Sequence, residues 1–226
     1  MLPAIEFESA PNPRASLIVL HGLGADGNDF VPVCEALQLH AVGAVRFVLP
    51  HAPSRPVTVN NGCVMPAWYD IFAFARTSIG GPAPREDVAG LRQSQAAVAA
   101  LIEREVARGV PAERIVLAGF SQGAAMALMT GLRYPARLAG LVGLSGYLPL
   151  AALTAAERSA ANADVPVFLA QGRQDDVLPM PLGSTARDAL VALGHAVEWH
   201  DYPLAHSVSM EEVADLNRWL LGVLAV

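Results

Sequence analysis

Charged residues and cysteines are scarce in this sequence, and long uninterrupted apolar runs are missing. Only 16% of its 226 residues are charged, and the net charge of −6 argues against a nucleic-acid partner. The two cysteines, Cys34 and Cys63, are too few for a disulfide framework. Residues 1–10 carry two acids and no basic residue, which is unlike a signal peptide. We therefore expect a cytoplasmic protein without stable membrane insertion, since no run reaches the roughly 20 apolar residues that a spanning helix needs.

Apolar residues, by contrast, are abundant. They make up 53% of the chain, and the mean hydropathy is +0.38. The length suits one domain covering residues 1–226. The excess of Ala, Val and Leu is typical of a parallel sheet that is covered on both faces. A composition this apolar is also compatible with a homodimer, although nothing in the sequence locates an interface.

Apolar strand-like runs alternate with helical patterns along most of the chain. This alternation predicts an α/β fold, a mostly parallel twisted sheet flanked by helices on both faces. The predicted strands are residues 16–20, 45–49, 114–118, 138–144, 165–170 and 196–202, with an edge strand at 4–9. The predicted helices are residues 29–39, 85–108, 122–133, 150–159, 181–193 and 209–221.

Residues 53–84 interrupt this alternation and are rich in Pro, Gly and aromatic residues. Asn60-Asn61-Gly62 lies between residues 57–59 and 63–65, which favours a small hairpin. An ordered surface insertion is one interpretation of the remainder. We favour a pocket wall or lid, because the segment carries more apolar surface than a solvated loop should. Its large apolar residues are Met65, Trp68, Tyr69, Ile71, Phe72 and Phe74.

The sequence Gly119-Phe120-Ser121-Gln122-Gly123 lies between a predicted strand and a predicted helix. Strand, G-x-S-x-G and helix in this order predict a nucleophile elbow, in which a serine hydroxyl projects from a sharp turn. The flanking glycines are expected because side chains there would collide with the neighbouring strand and helix. Ser145 has no glycine at the fifth position of its own motif and is not expected to be a nucleophile.

An elbow serine needs an acid and then a histidine later in the chain. Asp175 and Asp176 both follow the strand at 165–170, so either could be the acid. His206 follows the last strand, at the sheet edge where catalytic groups collect. His195 precedes that strand. His200 lies within the strand and, by alternation with Val197 and Trp199, should point to the other face of the sheet. The sequence therefore predicts a Ser-His-Asp triad.

The oxyanion formed on attack needs two preorganised donors. The backbone N–H of Gln122 is one candidate, and the N–H of Leu23, in the loop after the first parallel strand, is the other. We expect His21 to hold this loop by a hydrogen bond. Residues 22–27 also match a dinucleotide fingerprint, but residues 36–69 contain no Asp or Glu to hold a ribose. We therefore reject a nucleotide-dependent oxidoreductase.

With these motifs the chain resembles the carboxylesterase and acyl-protein thioesterase family, also called phospholipase/carboxylesterase, of the α/β-hydrolases. The resemblance runs through most of the chain. The matching segments are residues 21–24, 66–70, 119–123, 144–149, 172–179 and 202–208. It implies hydrolysis of carboxylic esters or thioesters without a cofactor or metal, and it implies that Asp175 is the acid.

Two positions depart from the family pattern. Gln171 stands where the family commonly has His, and Asp176 stands where it commonly has Pro, which leaves two adjacent acids. We expect a serine carboxylesterase acting on short- to medium-chain esters. The alternative is an acyl-protein thioesterase or lysophospholipase with the same triad. A catalytically inactive binding module would be expected to lack a triad member. An acyl pocket is expected at Leu23, Trp68, Phe72 and Leu178.

Overall fold

The structure is a computed structural model that describes residues 2–73 and 85–225. In this part of the chain the strands are β1 Ala4–Glu8, β2 Ala15–Leu20, β3 Val45–Pro50, β4 Ser54–Val57, β5 Cys63–Pro66, β6 Ile115–Phe120, β7 Gly140–Leu144, β8 Val167–Gly172 and β9 Val197–Tyr202. The helices are α1 Val31–Ala36, α2 Val88–Ala107, α3 Gln122–Arg133, α4 Ala151–Glu157, α5 Met180–Ala192 and α6 Met210–Val223.

The main sheet has the strand order β1-β3-β2-β6-β7-β8-β9 among the described residues. Six neighbouring strands, from β3 to β9 in this order, are parallel, and β1 runs antiparallel to β3 at the edge. The predicted α/β-hydrolase architecture and the edge strand are confirmed. This order places β2, β6, β7 and β8 inside the sheet, which explains their continuous apolar runs.

Each face of the sheet carries its own apolar core. Along β2, Ile18 and Leu20 pack toward the helices α2, α3 and α5, whereas Leu17 and Val19 pack toward α1 and α6. All four side chains are almost fully buried. A leucine or isoleucine buried in this way contributes about 1.5–3 kcal/mol of transfer free energy. The high apolar content therefore reflects two cores that share one sheet.

The parallel strands bring four loops to one edge of the sheet. β2 ends at Leu20, β6 at Phe120, β8 at Gly172 and β9 at Tyr202. The loops that follow contain the residues that the sequence singled out. The carboxyl edge of a parallel sheet is where such folds build their sites.

β4 and β5 form the predicted hairpin, but its first strand lies earlier than expected. Val57 pairs with Cys63, and residues 58–60 form a 3₁₀ turn rather than strand. Thr58 leaves the ladder because its N–H and hydroxyl donate to the Asp70 carboxylate at 2.7 and 2.6 Å. Phe74, which was also expected in this region, lies outside the described residues.

The structure also bears on the two cysteines and on the expectation about membrane spans. Cys34 is buried and Cys63 is exposed, and both are free thiols. Across residues 2–73 and 85–225, no helix combines the length and the apolar character that crossing a membrane requires.

Glu212, at the start of α6, should make stability depend on pH. Its side chain is buried, its Oε1 atom has no hydrogen-bond partner, and burial raises its pKa to about 7. The folded chain therefore binds the carboxyl proton of Glu212 more tightly than the unfolded chain does, in which the pKa is near 4.5. The free energy of unfolding therefore falls as pH rises between these two values. We expect Glu212→Gln to gain about 2 kcal/mol near pH 8 and almost nothing near pH 4.

Urea unfolding of both proteins at the two pH values measures this difference. The Ser209 hydroxyl accepts from the backbone N–H of Glu212 at 3.1 Å, and the substitution leaves this cap in place. An equal gain at both pH values would contradict the titration of Glu212.

Candidate active site

Ser121 sits on a strained turn between β6 and α3. Its φ of 55° and ψ of −119° are unusual for a residue with a side chain. A Cβ at Gly119 would collide with the backbone of Gly123, and a Cβ at Gly123 would collide with the Leu20 carbonyl on β2. Both glycines are therefore required, as expected from the motif. The turn itself is held by the Ser121 N–H, which donates to the Leu144 carbonyl at 2.9 Å.

The structure brings Ser121 and His206 together although they lie 85 residues apart. Ser121 Oγ is 2.9 Å from His206 Nε2, and His206 Nδ1 is 2.7 Å from Asp175 Oδ2. The carboxylate can only accept, so Nδ1 carries the proton and Nε2 is free to accept from the serine hydroxyl. The Phe120 ring packs against the imidazole, with 4.7 Å between ring centroids. The histidine is thus fixed in one tautomer and one orientation.

Asp175 is the acid that meets His206. Its carboxylate is fully buried, and its second oxygen, Oδ1, accepts from the N–H groups of Val177 and Leu178 at 3.0 and 2.8 Å. Asp176 follows at an exposed position. The alternative that the sequence left open therefore has a geometric answer: the hydrogen bond to the imidazole belongs to Asp175.

The two candidate oxyanion donors lie on neighbouring segments. Gln122 is the first residue of α3, so its N–H has no partner within the helix. Leu23 follows β2 in a loop that touches the elbow, since a Cβ at Gly22 would lie 3.4 Å from Ser121 Cβ. The next two N–H groups of this loop are already paired, because Gly24 donates to the Pro66 carbonyl of β5 at 2.8 Å and Ala25 donates to the Gly22 carbonyl within the loop.

His21 holds the loop, as expected. Its Nδ1 donates to the Gly22 carbonyl at 2.7 Å, and its Nε2 accepts from the Ala52 N–H at 3.0 Å. Burial lowers the pKa of His21, which keeps the ring neutral and suits this pattern of one donor and one acceptor. Both nitrogens are occupied, so His21 is a structural residue of the loop.

Trp68 does not line the cavity, which corrects the expectation from the sequence. Its side chain is fully buried, and its indole N–H donates to the His21 carbonyl at 2.8 Å. Its backbone N–H donates to the Gln122 side-chain oxygen at 2.7 Å, and the Gln122 amide nitrogen donates to the Tyr69 carbonyl at 2.7 Å. The indole N–H therefore holds the oxyanion loop, and the Trp68 backbone holds the Gln122 side chain beside the elbow.

The Gln122 side chain was missed by the sequence reasoning, which considered only its backbone N–H. Its two hydrogen bonds to residues 68 and 69 join the start of α3 to the loop after β5. The motif itself offered a signal, since a glutamine that follows the serine and is buried must find partners for both ends of its amide. Through Trp68, the residue that bears one candidate oxyanion donor is therefore linked to the loop that carries the other.

A cavity of about 650 Å³ opens beside Ser121 and His206. This volume lies within the usual range for small-molecule sites. Its apolar wall includes Leu23, Ile71, Phe72, Leu148, Val177 and Leu178. Three of the four expected pocket residues therefore line it.

The cavity wall also has polar members, which include a pair of tyrosines and the charged residues Asp29, Asp70, Arg85, Glu86 and Asp87. The hydroxyls of Tyr69 and Tyr147 are hydrogen-bonded to each other at 2.8 Å. Burial raises the pKa of Tyr147 to about 12, so this phenol is neutral at physiological pH. The tyrosine pair therefore offers hydroxyl groups and no charge, whereas the charged residues of the wall include both signs.

The two other late histidines lie away from the site. His195 is buried, and its Nδ1 lies 3.0 Å from the Val165 carbonyl. His200 is on β9 with its ring against Phe168, on the opposite face from Val197 and Trp199, as the strand alternation indicated. Among residues 2–73 and 85–225, no group of three or more His, Cys, Asp or Glu side chains could hold a metal ion.

Comparison with known proteins gives consistent results. Residues 3–223 match the family described as phospholipase/carboxylesterase. The chain is 37% identical over 222 residues to acyl-protein thioesterase 1 of Yarrowia lipolytica, covering 96% of both chains. It is 41% identical over 227 residues to acyl-protein thioesterase 1 of Neurospora crassa, covering 96% of this chain and 90% of that one.

The fold is similar to that of solved structures. The crystal structure of Zea mays acyl-protein thioesterase 2 superposes with a TM-score of 0.83 at 30% identity, covering 99% of this chain and all of that one. This similarity extends over nearly the whole chain.

Proposed function

Because the chain belongs to the phospholipase/carboxylesterase family of α/β-hydrolases and is a hydrolase acting on ester bonds, we propose that Ser121, His206 and Asp175 are its catalytic triad. The observation that carries this proposal is the continuous hydrogen-bonded chain from the Ser121 hydroxyl to a buried carboxylate at the rim of an apolar cavity. We further propose that its substrates are carboxylic esters with short- to medium-length apolar acyl chains.

Acylation follows from the geometry. Ser121 Oγ attacks the acyl carbon while its proton passes to His206 Nε2, and the negative charge moves to the former carbonyl oxygen. The N–H groups of Leu23 and Gln122 stabilise this oxyanion. As the intermediate collapses, the bond to the leaving oxygen or sulfur breaks, and His206 returns the proton to the leaving group. Asp175 stabilises the imidazolium throughout.

Deacylation repeats these steps with water. His206 takes a proton from water, the hydroxide oxygen attacks the acyl-Ser121 carbon, and the second oxyanion occupies the same two donors. Collapse breaks the bond between the acyl carbon and Ser121 Oγ, and His206 returns its proton to that oxygen. The net change is addition of one water, which releases a carboxylic acid and an alcohol or thiol.

A second candidate function is acyl-protein thioester hydrolysis. It is favoured by the names of the relatives, both of which are acyl-protein thioesterases aligned over nearly the whole chain. The same triad and oxyanion donors would act on a thioester, so the chemistry does not separate the two candidates. The shape of the cavity and the surface that meets the leaving group decide between them.

Turnover of a panel of acyl substrates tests the proposal. The panel contains p-nitrophenyl esters of graded acyl length, an S-acylated cysteine peptide and a lysophospholipid. The proposal predicts cleavage of the esters, with kcat/KM passing through a maximum as the chain lengthens. A higher kcat/KM for the thioester peptide than for an oxygen ester of the same acyl chain would favour the second candidate. No turnover of any member would contradict both.

Leu178→Ala should change acyl-length preference, because Leu178 lines the cavity beside the site. Removing its side chain lengthens the apolar space, so the preferred ester should lose about tenfold in kcat/KM while longer esters lose less. The p-nitrophenyl series measures this shift. Val191→Ala is the control, since Val191 is 54% exposed on α5 and should leave the series unchanged.

Leu23→Ala and Phe72→Ala extend the test to the other two expected wall residues. If all three variants keep the wild-type chain-length profile, the acyl chain does not occupy this cavity.

A further inference from the structure

Gln171, the last residue but one of β8, carries the clearest unassigned feature near the site. Its side chain is almost fully buried, and its Nε2 donates to Asp175 Oδ2 at 3.1 Å and to the Leu178 carbonyl at 2.7 Å. Both partners are acceptors, so the amide nitrogen with its two hydrogens must be the atom that faces them. The amide orientation is therefore fixed by chemistry.

These contacts form a closed ring with the loop that carries the acid. Gln171 donates to Asp175 and to the Leu178 carbonyl, and the Leu178 N–H donates back to Asp175 at 2.8 Å. The carboxylate oxygen that receives the Gln171 hydrogen is the same oxygen that receives the His206 hydrogen. Gln171 thus contacts both the backbone of the acid loop and the atom that meets the imidazole.

The oxygen end of the Gln171 amide has an energetic cost in this arrangement. Gln171 Oε1 is buried without a hydrogen-bond partner, and a Cβ at Gly183 would lie 2.6 Å from it. A buried amide oxygen left unpaired costs free energy of about 1–3 kcal/mol. A residue selected only for packing would avoid this cost with an apolar side chain of the same size. The donor end of the amide is therefore the part that the site uses.

We propose that Gln171 is a positioning residue that holds the Asp175 carboxylate against His206. The inference rests on the proposed triad and adds a fourth member that does not touch the substrate. Asp175 is buried and receives four hydrogen bonds, of which two converge on Oδ2. Removing the Gln171 donor leaves His206 as the remaining partner of that oxygen and frees the Leu178 carbonyl.

The test compares two variants that keep the size of the side chain. Gln171→Met removes both N–H donors, and Gln171→Glu replaces them with an acceptor that faces Asp175. We expect kcat to fall about tenfold in the first variant and further in the second, with KM within about twofold of wild type. The rate constant for labelling of Ser121 by a fluorophosphonate should fall in parallel, because it reports the reactivity of the serine without any assumed substrate.

Gln174→Met is the matched control, since it makes the same exchange at an exposed position of the same loop. It should react at the wild-type rate. All rates are divided by the folded fraction measured by thermal unfolding, so that a loss of stability alone does not count. A labelling rate within about twofold of wild type for either Gln171 variant would overturn the positioning role.

The outcomes separate this inference from the function beneath it. If wild-type Ser121 is labelled and either Gln171 variant is labelled within about twofold of the wild-type rate, the triad stands and the positioning role fails. If wild-type Ser121 is not labelled at all, the proposed triad fails and the inference fails with it.

Discussion

Replacing Ser121 with alanine is expected to lower kcat by about 10⁴-fold or more on every substrate that the wild-type protein turns over. The substitution removes the atom that would form the acyl-enzyme, while the oxyanion donors and the cavity remain. KM should change little, because substrate binding uses the cavity wall. Steady-state kinetics on the best p-nitrophenyl ester, supplemented by single-turnover measurements for the variant, give both constants.

Ser145→Ala is the matched control for this variant. Ser145 is also buried at the end of a strand, β7, and also has a positive φ, of 47°. It lacks the hydrogen bond from a serine hydroxyl to His206 that distinguishes Ser121. Ser145→Ala should retain kcat within a few-fold. A Ser121→Ala protein with wild-type turnover would remove the basis of the proposed mechanism.

The second large effect is expected at Asp175. Asp175→Asn keeps the shape of the side chain but removes the charge that stabilises the imidazolium and favours the wrong tautomer of His206. A loss of about 10⁴-fold in kcat follows from this kind of change in a Ser-His-Asp triad. The folded structure should persist, because the amide oxygen can still accept from the N–H groups of Val177 and Leu178.

Asp176→Asn provides the comparison, since it makes the same substitution at the adjacent, exposed position. Its kcat should stay within a few-fold of wild type, because the hydrogen bond to His206 belongs to Asp175. Kinetics and thermal unfolding of the two variants, measured side by side, show which aspartate is the acid. A larger loss in Asp176→Asn than in Asp175→Asn would mean that the acid has been assigned to the wrong residue.

The sequence predicted the sheet and the neighbourhood of the site because both depend on patterns local to each strand. Continuous apolar runs marked the buried strands, and the turn after each run marked its carboxyl end. Since these strands are parallel, the loops bearing Ser121, Asp175 and His206 had to meet at one edge of the sheet. The position of each strand end was therefore enough to predict that Ser121 and His206, which are 85 residues apart, lie close together.

Local patterns could not predict what depends on contacts between loops. The aromatic residues at 68 and 72 look alike in the sequence, yet Trp68 is fully buried and Phe72 lines the cavity. The difference arises because the Trp68 indole meets a carbonyl of the oxyanion loop. Irregular segments have no periodicity to indicate which way a side chain faces, so this assignment required the tertiary structure.

The same limit applied to the acid and to the two buried glutamines. Asp175 and Asp176 are adjacent in a turn, where strand alternation has ended, so the strand pattern left both open. The family resemblance pointed to Asp175, and the hydrogen bond to His206 agrees with it. Gln122 is hydrogen-bonded to a segment 54 residues away, and Gln171 is hydrogen-bonded to an irregular turn four to seven residues further along the chain. The spacing of the sequence motifs does not specify the hydrogen-bond partners of either glutamine.

The most direct test of the central claim is to locate the residue that a fluorophosphonate modifies. Trypsin should release residues 115–133 as one peptide, in which Ser121 is the one serine. The account predicts that this peptide from the wild-type protein gains the phosphonyl mass at Ser121, and that the Ser121→Ala protein gains none. A stable adduct on any other residue, or equal labelling of the Ser121→Ala protein, would contradict it.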